Sequence, residues 1–472
     1  RAFAMRTVPV PATPGKTAFD DLLRPFLQQP GLPFANVLDA ATIEQAFAQR
    51  DALFATDAVF STAVVLLAFL AQVLRDGKGA ACAAAVADIA TYAQQTGRAV
   101  PSGDTGDYCR ARAKLDLDAL RDLVGHTAGQ LQQDARPDWH WQGRHAKLVD
   151  GFTFTMLDTP ANQDVYPHPR TQTAGVGLPI ARAVAVLSLA TAAIHDVAVG
   201  PYAGKQTGEM ALLRSLLAGF DAGDVVVFDR YYCSYMMLAQ MALRGVDVCA
   251  RLHQCRKSDW REGKRLGPND RLVTWTRPAR PPWMSADEYE QIPRTLTLRM
   301  IRYDVTEPGR RVDAITVVTT MTDPVAYPAE AIAELFGHRW NAELDIRQIK
   351  QTLGLDHVPC KSPAMVHRHL WVTLLGYNLV RKIIATAAAT HGKQPRRLGF
   401  TRACQEVLSS WMLLASGACR DVSALIATAL ARIAANDVAN RPGRIEPRVL
   451  KRRRHRYPLM TRPREQLRKE LT

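Results

Sequence analysis

From Thr17 to about Gln133 apolar residues recur at three- and four-residue spacing, as in Ser61–Arg75 and Ala80–Gln95, with Gly and Pro as punctuation. That period predicts helices burying one stripe each. Near His145 the texture changes. Ala146–Leu157, Leu178–Ala192 and His195–Val199 are rich in Val, Ile, Leu and Thr and predict strands. A helix is predicted over Thr207–Phe220, a compact apolar strand over Val225–Phe228, and a further helix over Ser234–Leu243. Strands alternating with helices predict an α/β core with some parallel pairing. From Val246 to about Thr322, short strand-like pieces (Arg271–Thr276, Thr295–Tyr303, Ala314–Thr320) are separated by Pro and Gly and read as a mostly β insertion. Beyond Pro328 one strong helix is predicted through Glu330–Gly354, then helices over Ala364–Gly392 and Arg402–Ala435.

The expected organisation follows. An irregular segment occupies 1–16 and a helical domain 17–140. The α/β core lies in two parts, 141–245 and 323–362, around a β-rich insertion at 246–322. A helical domain at 363–440 precedes a basic tail at 441–472.

Composition narrows the class. With 472 residues, 47% of them apolar, and no low-complexity stretch, the chain reads as globular with two to four domains. Its longest apolar runs, Thr62–Leu74 and Ala183–Ile194, fall short of the ~20 residues of a membrane helix, and neither follows a basic N-terminus. No membrane association or signal peptide is expected, and the location expected is cytoplasmic, in contact with the bacterial nucleoid. The eight cysteines are scattered without a Cys-x-x-Cys pair, which speaks against a zinc module and for free thiols.

Charge adds a partner. The net charge is +15, and Arg441–Thr472 carries twelve Lys/Arg against three Asp/Glu. Such a balance suits a polyanion. Lys451, Arg452, Arg453 and Arg454 form a phosphate-seeking arm if that polyanion is nucleic acid, and a solvated basic end otherwise. After the turn Pro101–Asp104, a helix beginning around Thr105 carries Arg110, Arg112 and Lys114. A basic helix after a turn suits a DNA groove, although helical bundles carry basic surface faces as often. His367 and His369, on another basic helix, are expected at the surface or facing DNA.

Three carboxylates stand out by placement. Asp150 follows Lys147-Leu148-Val149 within a strand, where an unpaired carboxylate is costly to bury. Asp229 ends the apolar run Val225–Phe228, at the lip where open α/β sheets present functional groups. Glu343 falls in mid-helix. At ~100° per residue, Glu343 and Lys350 lie about 40° and about 20° from Arg339, so a continuous helix puts all three on one face. A carboxylate framed by two cations suits a metal ligand whose neighbours grip phosphate. Plain i,i+4 salt bridging explains Arg339 with Glu343 but not the third member.

The spacing Phe336-x₂-Arg339-x₃-Glu343-x₆-Lys350 resembles the Tyr-Arg-Glu-Lys signature of DDE transposases of the insertion-sequence IS-four type, with Phe in place of Tyr. Leu-Val-Asp150-Gly and Val-Phe-Asp229-Arg230 resemble the same family's two Asp blocks, so the similarity spans roughly Lys147–Leu355. The resemblance implies an RNase H-like catalytic core with a β-rich insertion, flanked by helical N- and C-terminal regions. It implies Asp150, Asp229 and Glu343 as ligands of two Mg²⁺ ions, with Mn²⁺ as substitute. It further implies cut-and-paste transposition through hairpin-ended DNA, and a homodimer bridging the inverted-repeat ends of double-stranded DNA. Arg339, Lys350, Phe336 and Arg230 become DNA contacts, and the base-stacking Trp the family places before its Glu helix has no counterpart at 313–316. Trp283 or Trp340 stands nearest to that role.

Phosphodiester displacement needs an activated oxygen nucleophile and a stabilised leaving oxygen, which two Mg²⁺ ions in oxygen ligands supply. Gly200–Thr207 has three residues between its glycines where a phosphate loop has four, so no nucleotide cofactor is expected. Asp158 is the substitute for Asp150. Two rival readings stay open from sequence: a DNA-binding descendant without cleavage, and a nuclease that cuts without joining.

Overall fold

A computed structural model describes residues 40–54, 58–95, 99–169, 171–173, 175–256, 259–304, 314–415, 420–438 and 460–470. The segment 1–16 and the cations Lys451–Arg454 fall outside these residues. The chain forms two compact units, neither continuous in sequence: up to Asp134 with Gln348–Leu355 and Ala364–Asp437, and Ala135–Arg347 with Asp356–Pro363 and Val438–Thr472.

The first unit opens with helices α1 (Ala40–Ala48), α2 (Thr62–Val73), α3 (Cys82–Gln95), α4 (Gly106–Ala113) and α5 (Leu117–Gln133). Ser61 caps α2, accepting from the Val64 amide, and every residue of α2 is buried. Asp116 caps α5 by accepting from Ala119, and the period of Leu120, Leu123, Val124 and Leu131 gives α5 its one buried stripe.

The second unit is a ten-stranded sheet among the described residues, in the order β3-β2-β1-β4-β5-β9-β8-β7-β6 with β10 beside β1. Strand β1 (Ala146–Met156), helix α6 (Pro160–Val165), β2 (Ile180–Ser188) and β3 (Ile194–Pro201) come first, and β1, β2 and β3 pair antiparallel. Helix α7 (Glu209–Ser215) precedes β4 (Val225–Phe228), and α8 (Tyr235–Leu243) precedes β5 (Asp247–Arg251). Strands β1, β4 and β5 run parallel, as their helical crossovers require. Val149, Val226, Phe228, Val248 and Ala250 bury one face of these strands in a single core with Leu213 of α7 and Leu238 of α8.

The region expected to be a β insertion differs in one respect. β5 is a central strand pairing with β4, and β6 (Lys264–Gly267), β7 (Asp270–Thr276), β8 (Thr295–Asp304) and β9 (Ala314–Thr319) continue the same sheet from it. A capped helix, α9 (Ala286–Gln291), closed by the Ser285/Glu288 capping box, interrupts them.

The single helix expected over Glu330–Gly354 is three pieces. α10 (Ala329–Gly337) ends at a turn through His338 and Arg339, α11 (Trp340–Arg347) follows, and a π-helical turn spans Gln348–Thr352. α10 lies on the face of the sheet opposite α8, because the Cys249 thiol donates to the Ile332 carbonyl while Val248 and Ala250 point into the α7/α8 core. The two-residue β10 (His357–Val358) then returns to β1 in parallel.

Helices α12 (Pro363–Thr390), α13 (Phe400–Ala415) and α14 (Val422–Ala434) complete the first unit, and α15 (Arg464–Lys469) belongs to the second. α12 is buried along most of its length. Its Gly376 permits the close approach of α2, since a Cβ there would meet Leu74 at 3.3 Å. Asn378 of α12 donates to the Val124 carbonyl and Thr127 hydroxyl of α5. His369, expected at a surface, is buried beside the Phe69 ring, and burial pulls its pKa down to about 4. No described helix is long and apolar enough to cross a membrane.

Candidate active site

Register places the two aspartates. Val149 pairs with Phe228 and Phe228 with Ala250 across parallel strands, so the next residues, Asp150, Asp229 and Arg251, form one row on neighbouring strands. Neighbouring strands lie about 4.8 Å apart. Because side chains alternate, this row faces away from the α7/α8 core and towards the α10/α11 side. Asp150 Oδ1 accepts from the Gly151 amide at 2.9 Å. Asp229 Oδ1 accepts from the Arg230 amide at 2.7 Å and caps the 3₁₀ turn Arg230–Tyr232.

Glu343 arrives from α11, which lies against β1. It stands in the first turn of that helix rather than the middle, where the helix dipole favours a carboxylate. Arg339, in the turn between α10 and α11, joins the strands to the helix. Its Nη2 lies 2.9 Å from Glu343 Oε1, and its Nη1 lies 4.0 Å from Asp150 Oδ2.

The electrostatics are those of charges of both signs crowded together and partly buried. Burial pushes the Asp150 carboxyl up to about 6; Arg339 and the Gly151 N–H oppose this, while Glu343 and Glu209 add to it. Burial lowers the Arg251 guanidinium, as do neighbouring Arg230 and Arg339, with Asp229 drawing it back up. Anions and cations are packed together here with incomplete pairing, which marks functional sites more often than structural ones.

The other sequence candidates divide. Arg230 donates to Gln254 Oε1 at 3.0 Å beside the row. Phe336 is 5% exposed within α10, so its ring packs in the core rather than standing at the surface as a DNA contact would. Lys350 lies in the π turn, within a segment of the helical unit. The single-face arithmetic therefore fails for it, because a break at Arg339 and a wider turn after Arg347 change the angle per residue. On α4, Arg110 is exposed and paired with Asp107, and Lys114 is exposed. Arg112 instead turns inward, donating to Gln72 and covering the Phe69 ring at 4.7 Å, which corrects its expected DNA contact. Asp158 is held by Gln163 at 2.6 Å and His168 at 3.0 Å, away from the row. Trp340 is 51% exposed beside Arg339, whereas Trp283 lies under the Arg214 guanidinium at 3.8 Å. Sequence reading missed Arg251, whose signal is a cation ending a short apolar run, and Glu209.

The donor set suits a hard divalent cation, being all carboxylate oxygen. Among the described residues no three His, Cys, Asp or Glu side chains stand close enough together to hold a metal ion. Between Asp150 and Glu343 the guanidinium of Arg339 holds the place of a cation, and burial leaves the Asp150 carboxyl raised in spite of it. In donor chemistry, and in gathering Asp150 and Glu343 round one cation, the residues fit an ion.

Residues 141–379, which hold the whole row and Glu343, match the Transposase DDE domain, and the chain belongs to that family. It is a DDE transposase of the IS4 type. Over 355 residues, 74% of this chain and 77% of the relative, it is 28% identical to the transposase InsG for insertion sequence element IS4 of Escherichia coli (strain K12). The chain also resembles the piggyBac transposase in its cryo-EM synaptic complex with hairpin DNA, at 9% identity and a TM-score of 0.44, over 89% of this chain and 87% of that one.

Proposed function

We propose that the chain cuts and rejoins DNA at one site built from Asp150, Asp229 and Glu343 in an RNase H-like core, with two Mg²⁺ ions held by the three carboxylates and Mn²⁺ as substitute. One observation carries the reading: Asp150 and Asp229 each directly follow the paired residues Val149 and Phe228 of adjacent parallel strands, and Arg339 couples Asp150 to Glu343. The ions, when bound, activate a water or 3′-hydroxyl and stabilise the leaving oxygen. The chain's own residues hold and aim. The amides of Gly151 in β1 and Arg230 in the 3₁₀ turn fix the orientation of the two aspartates, and α11 brings Glu343 against β1. Arg339 then trades its carboxylate partners for DNA phosphate. Arg251 and Arg230, crowded by like charge, gain most from a phosphate placed over the row. Cut-and-paste transposition with a hairpin intermediate, and a homodimer spanning two double-stranded inverted-repeat ends, complete the proposal.

The test is incubation with DNA carrying the element's ends and Mg²⁺ or Mn²⁺. Hairpin and joined products that disappear in Asp229→Ala and Glu343→Ala are expected. Cleavage that persists in either variant, or simple cuts never followed by joining, overturns the reading.

A further inference from the structure

A fourth carboxylate belongs to this site, although it stands on the opposite face of the sheet. Glu209 begins α7, on the α7/α8 side, and its carboxylate occupies the space a side chain at position 151 would fill. A Cβ built on Gly151 would lie 2.4 Å from the Glu209 carboxylate carbon and 2.7 Å from both its oxygens. Gly151 is also the residue whose amide holds Asp150. One glycine thus carries a carboxylate on each side, and only the absence of a side chain allows it.

Glu209 is tied to the second aspartate as well. Its Oε2 accepts from the buried Tyr232 hydroxyl at 3.0 Å. Tyr232 closes the same 3₁₀ turn that Asp229 caps. A single anion therefore touches the backbone beside Asp150 and braces the turn behind Asp229. Its charge already reaches Asp150, adding to the rise of that carboxyl, and reaches the Tyr232 phenol, which is raised too.

We propose that Glu209 is a positioning residue: a fixed negative charge in the slot left by Gly151 that strengthens the hold of Asp150 and Asp229 on a divalent cation without touching it. The proposal rests on the ion-binding reading above. An anion a few ångströms behind the ligands favours any cation in front of them, and in a partly buried setting water screens it little.

Mn²⁺ titration of the metal-free full chain, followed by the electron paramagnetic resonance of free Mn²⁺, tests it. Glu209→Gln keeps an acceptor for Tyr232 and removes only the charge, so Mn²⁺ affinity is expected to fall about tenfold. The melting temperature of the metal-free protein should not change. Gly151→Ala should push the flexible carboxylate from its slot and weaken Mn²⁺ similarly, and the double variant should be no weaker than the weaker single one. Wild-type affinity in Glu209→Gln overturns the inference alone, as does a loss matched by a lower melting temperature, because the role is then structural. A wild-type chain showing no Mn²⁺ binding sensitive to Asp150→Asn overturns the ion-binding reading, and the inference with it.

Discussion

Strands β1 and β4 carry charges at two levels along their length, and the two levels treat them in opposite ways. At the start, Lys147 and Asp224 are 2% and 4% exposed and meet at 2.6 Å. Lys147 also donates to the Gly219 carbonyl at 3.1 Å, and Asp224 accepts from the Asp221 amide at 2.9 Å. That pair is closed: each charge has an opposite charge and a backbone partner. Further along, Asp150 in mid-β1 and Asp229 just past β4 follow the paired Val149 and Phe228, with Glu343 and Glu209 near Asp150, and Arg339 reaches Asp150 only at 4.0 Å. The same strands hold a satisfied ion pair where they start and a surplus of carboxylate further along. Burial of charge is therefore not what marks the site; incomplete neutralisation is.

The contrast can be broken by substitution. The largest effect belongs to the open end: Asp229→Ala or Glu343→Ala should lower strand cleavage at least about a thousandfold in a gel assay, with thermal stability intact. At the closed end, Lys147→Met should leave Asp224 buried alone and cost about 3–5 kcal/mol in urea unfolding. Asp150→Asn should act with the opposite sign. Folded Asp150 titrates at about 6 against an ordinary 3.8, so between these values the folded chain holds a proton that the unfolded chain has lost. Stability contributed by the protonated form is then lost as pH rises from about 4 to about 6, and the Asn variant escapes that loss. Without metal, the variant should be about 1–3 kcal/mol more stable than wild type at pH 8, the difference vanishing below about pH 4. The smallest effect is expected from Arg251→Gln, which should weaken DNA binding and reduce its salt slope by about 1 in a titration at several salt concentrations.

The strands that carry both aspartates were legible in sequence because a run such as Val225–Phe228 has one plausible fate and its last residue one plausible place. Glu343 was legible through its spacing from Arg339, which the structure shows as a direct contact. The rest depended on pairing partners distant in sequence. Arg251 looks like the opening of an insertion until β5 is seen beside β4. Glu209 sits two residues beyond a stretch resembling a phosphate loop, and nothing near it in sequence points to Gly151. Helical periodicity continues unbroken through His338 and Arg339, so it hid the turn that lets Arg339 reach β1, and it hid the π turn that holds Lys350.

The interleaving of the two units along the chain has a consequence for biosynthesis. Helices α1–α5 leave the ribosome long before α12, whose Gly376 and Asn378 receive α2 and α5. At ~5–20 residues per second, the roughly 230 residues between them take on the order of ten to fifty seconds to make. Through that interval the largely apolar α2 waits without its partner while the sheet is being synthesised. The nascent transposase should thus depend on chaperones in its N-terminal third, and neither unit can be expressed as one uninterrupted gene fragment.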